Sequence, residues 1–424
     1  MKITILTYGS RGDVQPFVAL ALGLQKRGHD VKLAAPHRFD GFVTSYNIPF
    51  VPLAGDPEEI SRRINDAGTN AAKIISSIWD YVFSIAPQVS RSAFQACEGA
   101  DLLVHSFLFT VGAHSWAREH QIPDVSVQGF PMFAPTREFP AVAASHLPSG
   151  ALSYLSHWIS NQAFWHGGNL GYGPARRANP DIPYPKKLHW PFDDDPRRIR
   201  SPILFAWSPS VLPPPRDWTQ NIHVTGYFFL DADPSYQPSV ELRNFLGAGP
   251  PPICVSFGSM IHRDRQKIDH IVRSALVNTG QRGIVLSGWD RVTHLPSDDI
   301  LYCESVPHDW LLPLCKLIIH HGGAGTTSAG LRAGIPGVVV PFTADQPFWG
   351  KRVHAIGACP HPILVKNLSV DNLTRAIIEA ENGLLLERVQ ALGQVIRSEN
   401  GVETAASLIE SHAVKHKAAR FFKV

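Results

Sequence analysis

No stretch of this 424-residue sequence reaches the ~18 to 20 consecutive apolar residues that a bilayer-spanning helix needs, so no span is expected. Cysteine is scarce. Cys97, Cys254, Cys303, Cys315 and Cys359 are odd in number, far apart and without metal-ligand spacing, which argues against a disulfide scaffold and fits a reducing, cytoplasmic compartment. A surplus of one charge is also missing: 39 Lys and Arg stand against 36 Asp and Glu, a formal net charge of +3, and nucleic acid is not an implied partner. The first 35 residues pass from a strand pattern straight into a polar, glycine-containing turn, without the long apolar run of a signal peptide. Internal repeats and low-complexity tracts are absent, and oligomeric state has no signature.

What is present is an ordinary globular composition, 44% hydrophobic and 18% charged. Single cores stop growing near ~250 to 300 residues, so two domains are expected. Residues 2–7 read as an apolar strand running into Tyr8-Gly9-Ser10-Arg11-Gly12-Asp13, and a helical pattern follows over 15–27, closed by Gly28. Further strands are expected at 30–35, 102–106 and 125–128, with helices between them, the alternation of a parallel, doubly wound sheet. Residues 211–252, rich in proline, read as an interdomain passage. The alternation then resumes with strands at 253–257, 283–287, 300–303 and 317–321 and a helix at 265–279. The expected organisation is therefore a domain over 1–210, a second over 253–400, and a helix over 401–424 that packs back on the first.

The most informative segment is Leu317-Ile318-Ile319-His320-His321-Gly322-Gly323-Ala324-Gly325-Thr326-Thr327. A buried strand ends in glycines and hydroxyls that open a helix. Free N–H groups and the helix dipole at such a start favour an anion such as a diphosphate, and tight strand-to-helix packing is the other reading. Ser259, after the strand at 253–257, is placed to face the same crevice, because open α/β sheets bind ligands at the carboxyl ends of their strands. Asp345 and Gln346 follow the end of another apolar strand, expected at 337–340; a carboxylate beside a carboxamide suits sugar hydroxyls, and equally a helix cap. Asp13, just before Pro16, a favoured first-turn residue of a helix, reads either as the cap of that helix or as a general base. Asp193, Asp194 and Asp195 lie in a proline-flanked loop, and no metal site is expected. Trp79, Phe107, Phe130 and Phe133 are core residues or the lining of an apolar acceptor pocket. Basic clusters around Arg176 and Arg177, and around Lys415 and Lys417, are solvated faces or points of attraction to anionic lipid, the latter suiting peripheral membrane contact.

These segments resemble the family 1 glycosyltransferases of the B-type fold. The donor-binding signature of that family is similar to Val306-Pro307-His308-Asp309-Trp310-Leu311, to His320 through Thr327, to Leu331-Arg332-Ala333-Gly334-Ile335-Pro336 and to Asp345-Gln346. Gly9-Ser10-Arg11-Gly12-Asp13-Val14-Gln15-Pro16 is similar to the opening of sterol 3-β-glucosyltransferases and glycopeptide-antibiotic glycosyltransferases. Val224 through Asp231 and Phe348-Trp349 resemble the sterol branch. The resemblance implies two facing Rossmann-like α/β domains with a cleft between them, the first for the acceptor and the second for the nucleotide sugar. It implies an inverting transfer of a hexose, glucose from UDP-glucose, to a lipophilic hydroxylated acceptor. Donor contacts would fall on Ser259, Val306, Trp310, His321, Gly323, Gly325, Thr326, Thr327, Asp345 and Gln346, and the base on Asp13. UDP-sugar would be a co-substrate, with no cofactor. Plant members carry a catalytic histidine where this chain has Asp13 and an acidic ribose ligand where it has Ala329; the sterol and antibiotic branches share both departures. A polyketide or peptide acceptor, epimerisation of the donor alone, and a non-catalytic binding role are the rival expectations.

Overall fold

The computed structural model describes the chain except residues 60–61, 64–70, 183, 186–187, 190–199, 234, 259–264, 288–297 and 422–424. It divides into two compact α/β units, Met1–Pro209 with Pro213–Leu230 and Asn400–Val424, and Ser210–Leu212 with Asp231–Glu399. The proline-rich stretch is thereby shared between the two units.

The first unit holds strands β1 (Lys2–Leu6), β2 (Asp30–Pro36), β3 (Phe50–Leu53), β4 (Leu102–His105), β5 (Asp124–Gln128), β6 (Ile203–Phe205) and β7 (Ile222–Val224). They form one parallel sheet in the order β3-β2-β1-β4-β5-β6-β7. Nearly every residue of β1, β4 and β5 is buried, as a sheet covered on both faces requires. The order reverses between β1 and β4, so the loops after these two strands diverge and leave a crevice at their carboxyl ends. Asp13 follows β1 and Phe107 follows β4, which places both beside that crevice.

The first helix spans Arg11–Lys26 rather than starting at Gln15. Ser10 is its N-cap and Asp13 its third residue, and this pairing overrides the expectation that Pro16 would mark the first turn; Pro16 sits inside the helix. The helix Gly401–Phe421 belongs to the same unit: Ala405, Ala406, Ile409 and Ala413 are buried in its core, and Glu403 and Glu410 pair with Arg27.

The second unit holds β8 (Ile253–Ser256), β9 (Gly283–Leu286), β10 (Ile300–Cys303), β11 (Leu317–His320) and β12 (Gly337–Val339), parallel in the order β10-β9-β8-β11-β12. Here the order reverses between β8 and β11, and the segments beyond both strands meet at one point.

Candidate active site

At that point in the second unit His321 leaves β11, and the helix Ala324–Ala333 begins three residues later with Gly323 as N-cap. No side chain caps this helix, so its first N–H groups and the positive end of its dipole stay available to an anion. The His321 ring lies between two glycines. A Cβ on Gly323 would fall 2.4 Å from Nε2 and one on Gly258, beyond β8, 2.9 Å from Cε1. Burial pushes the His321 pKa down to about 4, with the Ser256 carbonyl opposing and His308 adding to the fall. The ring is therefore neutral at pH 7 and acts as a hydrogen-bonding group rather than a cation. Its Nδ1 and the Thr327 hydroxyl are buried and have no partner among the described residues. Such orphaned polar atoms are rare in folded proteins, and each calls for a ligand or ordered water.

His320, next to it, is 3% exposed and held near pKa 3 by burial and by His321. Its Nδ1 accepts the Gly322 N–H at 3.2 Å, which fixes the turn from behind. Thr326 is buried on the first helical turn, whereas Gly325 is exposed and a Cβ there would meet nothing within 4 Å. Gly325 is thus small without any packing reason inside the protein.

Asp345 is the N-cap of the helix Gln346–Ala355 and half-buried. Gln346 is buried, and its Oε1 accepts the N–H groups of Phe342 and Thr343 at 2.8 and 3.1 Å. Its carbonyl end therefore shapes the loop between β12 and the helix. Val306 and Trp310 both join a hydrophobic cluster, Trp310 edge-on to Tyr236 at 5.5 Å. Ser259 lies outside the described residues, as do Asp193, Asp194 and Asp195. Among the described residues no group of three or more His, Cys, Asp or Glu is arranged to hold a metal ion.

In the first unit Asp13 Oδ2 accepts both the Ser10 N–H, at 2.7 Å, and the Ser10 hydroxyl, at 3.0 Å. Burial raises the Asp13 pKa above the ordinary carboxylate range, and the two bonds from Ser10 offset only part of that rise. Oδ1 has no hydrogen-bond partner among the described residues. One carboxylate thus caps a helix with one oxygen and keeps a second, more basic than that of an exposed aspartate, for other chemistry.

Three of the four expected acceptor aromatics come together. Phe107 stands edge-on to Phe130 at 4.9 Å, and Phe164 links them to Phe133, 5.9 Å from Phe107 and 5.1 Å from Phe133. Phe133 is held at φ +63°, uncommon for an aromatic residue, with its N–H donating to Asn161 Oδ1 at 3.3 Å. The side chain of Trp79 lies outside the described residues. Sequence reasoning missed the part played by Gly258, whose only signal is its place after β8, and that of Asn161, which carries no local signal.

Residues 3–101 match the glycosyltransferase family 28 N-terminal domain, and residues 283–410 match the erythromycin biosynthesis protein CIII-like C-terminal domain. The chain is 33% identical over 423 residues to a sterol 3-beta-glucosyltransferase of Arabidopsis thaliana, covering 97% of this chain and 66% of that protein. It is 34% identical over 429 residues to the O-mycaminosyltylonolide 6-deoxyallosyltransferase of Streptomyces fradiae, covering 97% and 98%. The chain spans about two thirds of the length of the plant relatives and under a third of that of fungal sterol 3-beta-glucosyltransferases. Its fold matches the crystal structure of the kitacinnamycin glycotransferase with a TM-score of 0.70 at 18% identity, over 97% of this chain and 99% of that one.

Proposed function

The chain belongs to the family 1 glycosyltransferases of the B-type fold, and we propose that it moves glucose from UDP-glucose to a hydroxyl of a lipophilic acceptor such as a sterol or triterpenoid. The observation that carries the donor half is the uncapped start of the helix Ala324–Ala333 beside a neutral, glycine-flanked His321. A diphosphate at this place takes N–H groups of the first helical turn, the His321 ring and the hydroxyls of Thr326 and Thr327. Charge gathers on the leaving diphosphate as the sugar departs, and donors already fixed by the fold stabilise it without rearrangement. In this proposal the sugar's hydroxyls are read by Asp345 and Gln346, and the base by the Val306 backbone and Trp310.

Asp13 serves as the general base. The acceptor's hydroxyl proton passes to Oδ1 as its oxygen bonds to the anomeric carbon, and the bond from that carbon to the diphosphate oxygen breaks on the opposite side. The products are the inverted glycoside and UDP. Because an aspartate is a weak base towards an alcohol, proton removal and attack are concerted, and the raised pKa of Asp13 helps. No metal takes part in this scheme.

Support for the lipophilic acceptor comes from the aromatic cluster of Phe107, Phe130, Phe133 and Phe164 and from relatives named as sterol 3-beta-glucosyltransferases. A second reading, transfer of a deoxysugar to a macrolide, draws on the match to the Streptomyces fradiae enzyme over almost its whole length. Mass spectrometry after incubation with UDP-glucose and a panel of sterols, triterpenes, flavonoids and macrolides separates the two. A hexose added to a sterol or triterpene is expected. Reaction of macrolides alone, with a deoxysugar nucleotide, would support the second reading, and conversion of the donor without acceptor would indicate an epimerase.

A further inference from the structure

The helix Ala151–Ala178 of the first unit has its polarity reversed over its first three turns. Ser153, Ser156, His157 and Asn161 are buried, whereas Leu152, Tyr154, Leu155, Trp158 and Ile159 are exposed, Trp158 at 54%. The buried side is polar because it holds the loop before the helix. The Ala141 N–H donates to Ser156 Oγ at 2.9 Å, His157 Nε2 bonds the Phe139 carbonyl at 3.0 Å, and Asn161 takes the Phe133 N–H. The outward side is apolar, each of those five exposed side chains leaving about half of its surface uncovered. Leu152, Leu155, Ile159 and Leu170 follow one another at intervals of three, four and eleven, which keeps them on one helical face, and Leu170 is 63% exposed.

Charge is distributed to match. Residues 139–175, 37 in succession, contain no Asp, Glu, Lys or Arg, whereas about a quarter of an ordinary soluble chain is charged. The run is bounded by Arg137 and Glu138 on one side and by Arg176 and Arg177 on the other. Arg176 and Arg177 close the helix, and the Arg137 carbonyl accepts the Gly150 N–H at 2.7 Å beside its start. All three arginines are exposed and make no ion pair among the described residues. Near Arg137 the local carboxylates are turned to other donors: Asp217 takes the Thr136 hydroxyl and Arg137 N–H, and Glu138 takes the Arg216 N–H.

We infer that this helix face is a docking surface for an anionic lipid bilayer, with Leu152, Leu155, Ile159 and Leu170 entering the acyl boundary, Tyr154 and Trp158 at headgroup level and the arginines on lipid phosphates. An apolar, uncharged stripe with Trp and Tyr among aliphatic residues and cations at its ends is the chemistry of a helix lying in a membrane interface. No helix is long and apolar enough to cross the membrane among the described residues. The same helix contributes Phe164 to the aromatic cluster, so a lipophilic acceptor leaving the bilayer would meet that cluster first.

Flotation of the full chain with vesicles of phosphatidylcholine and phosphatidylserine, beside vesicles of phosphatidylcholine alone, tests the inference without sugar or acceptor. Its failure would leave the transferase proposal standing, and failure of the product assay would leave this inference standing. Wild type should float with the anionic vesicles. Leu155→Gln with Ile159→Gln should cut that partition at least roughly tenfold while melting with wild type, both positions being exposed. Arg176→Ser with Arg177→Ser should reduce binding to the anionic vesicles alone. Should the double glutamine variant melt below wild type, Leu170→Gln repeats the test further along the same face. Wild type remaining soluble with both vesicles, or glutamine variants floating as well as wild type, would overturn the inference. So would a wild-type dimer that Leu155→Gln with Ile159→Gln turns into monomer, since the covering partner would then be a second copy.

Discussion

A Cβ on Gly9 would lie 2.2 Å from Oδ2 of Asp13. The carboxylate occupies the space that any other residue at position 9 needs, and Gly9 sits at φ +140°, where an L side chain is strained. Gly9→Ala should therefore displace Asp13. Turnover is expected to fall at least roughly tenfold with UDP affinity unchanged, at a stability cost of the order of 1 to 3 kcal/mol. Steady-state kinetics with UDP titration checks this, and normal turnover would mean that the position of the carboxylate is immaterial.

Gly325→Ala and Gly323→Ala separate a phosphate site from a packing turn. Gly325 has open space around its missing Cβ, so alanine should leave the fold at least as stable, by up to about 1 kcal/mol of helix propensity. UDP affinity should nonetheless drop, because the proposed diphosphate position is where the new methyl would stand. Gly323→Ala should lose UDP affinity and stability together, since its Cβ meets the His321 ring. Unchanged UDP affinity in Gly325→Ala, measured by calorimetry, would favour the packing reading.

The fold was legible where residues speak locally. Apolar runs located β1, β2, β4, β5 and β8 to β12 to within a residue or so, because fully buried parallel strands are near-continuously apolar. Strands β6 and β7, three residues each, are too short to show a pattern, and β3 is interrupted by Pro52. The start of the first helix was written in Ser10 and Asp13, a capping pair, yet Pro16 suggested a later start. The candidate site was legible as two strand-end turns, but which groups the fold has already used was not. Gln346 reads as a free amide in sequence and turns its carbonyl to the loop. His105, His114 and Asp124 have no ligand-like spacing; the pairing of β4 with β5 brings the His105 ring to Asp124 Oδ2 at 3.1 Å, and the helix Thr110–His120 brings His114 to the same oxygen at 2.9 Å. The helix Ala151–Ala178 carries its own sequence signal, the charge-free run over 139–175.

Acid should weaken the first unit through His412. Burial holds its pKa down to about 4, with Asp124 opposing and His416 and Lys415 adding to the fall, whereas an unfolded imidazole titrates near 6.5. The unfolded chain therefore takes up a proton first, so this stability is full above about pH 6.5 and is lost as pH falls through about 4. The share lost by pH 5 is about 2 kcal/mol. Asp124 adds to the loss at lower pH. Burial alone would raise its pKa, but His114 and His105 hold it well below the carboxylate range, so its contribution goes as pH drops below about 4. His412→Leu should lose less melting temperature than wild type between pH 7 and pH 5, and an equal loss would remove His412 from this account.

Turnover should persist in excess EDTA if, as proposed, the leaving group is met by a helix start, His321 and the hydroxyls of Thr326 and Thr327. Abolition by chelation with recovery on adding magnesium would require a metal in the mechanism.

The central claim, that Asp13 is the base of a transfer reaction and more than a helix cap, rests on the division of labour between its two oxygens. Asp13→Asn keeps an oxygen to accept from Ser10 and removes the basicity, and an amide serves in place of an acid at the third position of a capping box. With the acceptor identified by the product panel, kcat of Asp13→Asn should fall by roughly 10² to 10⁴, while UDP affinity and melting temperature stay near wild type. A kcat near wild type would contradict the account and leave Asp13 as a cap alone.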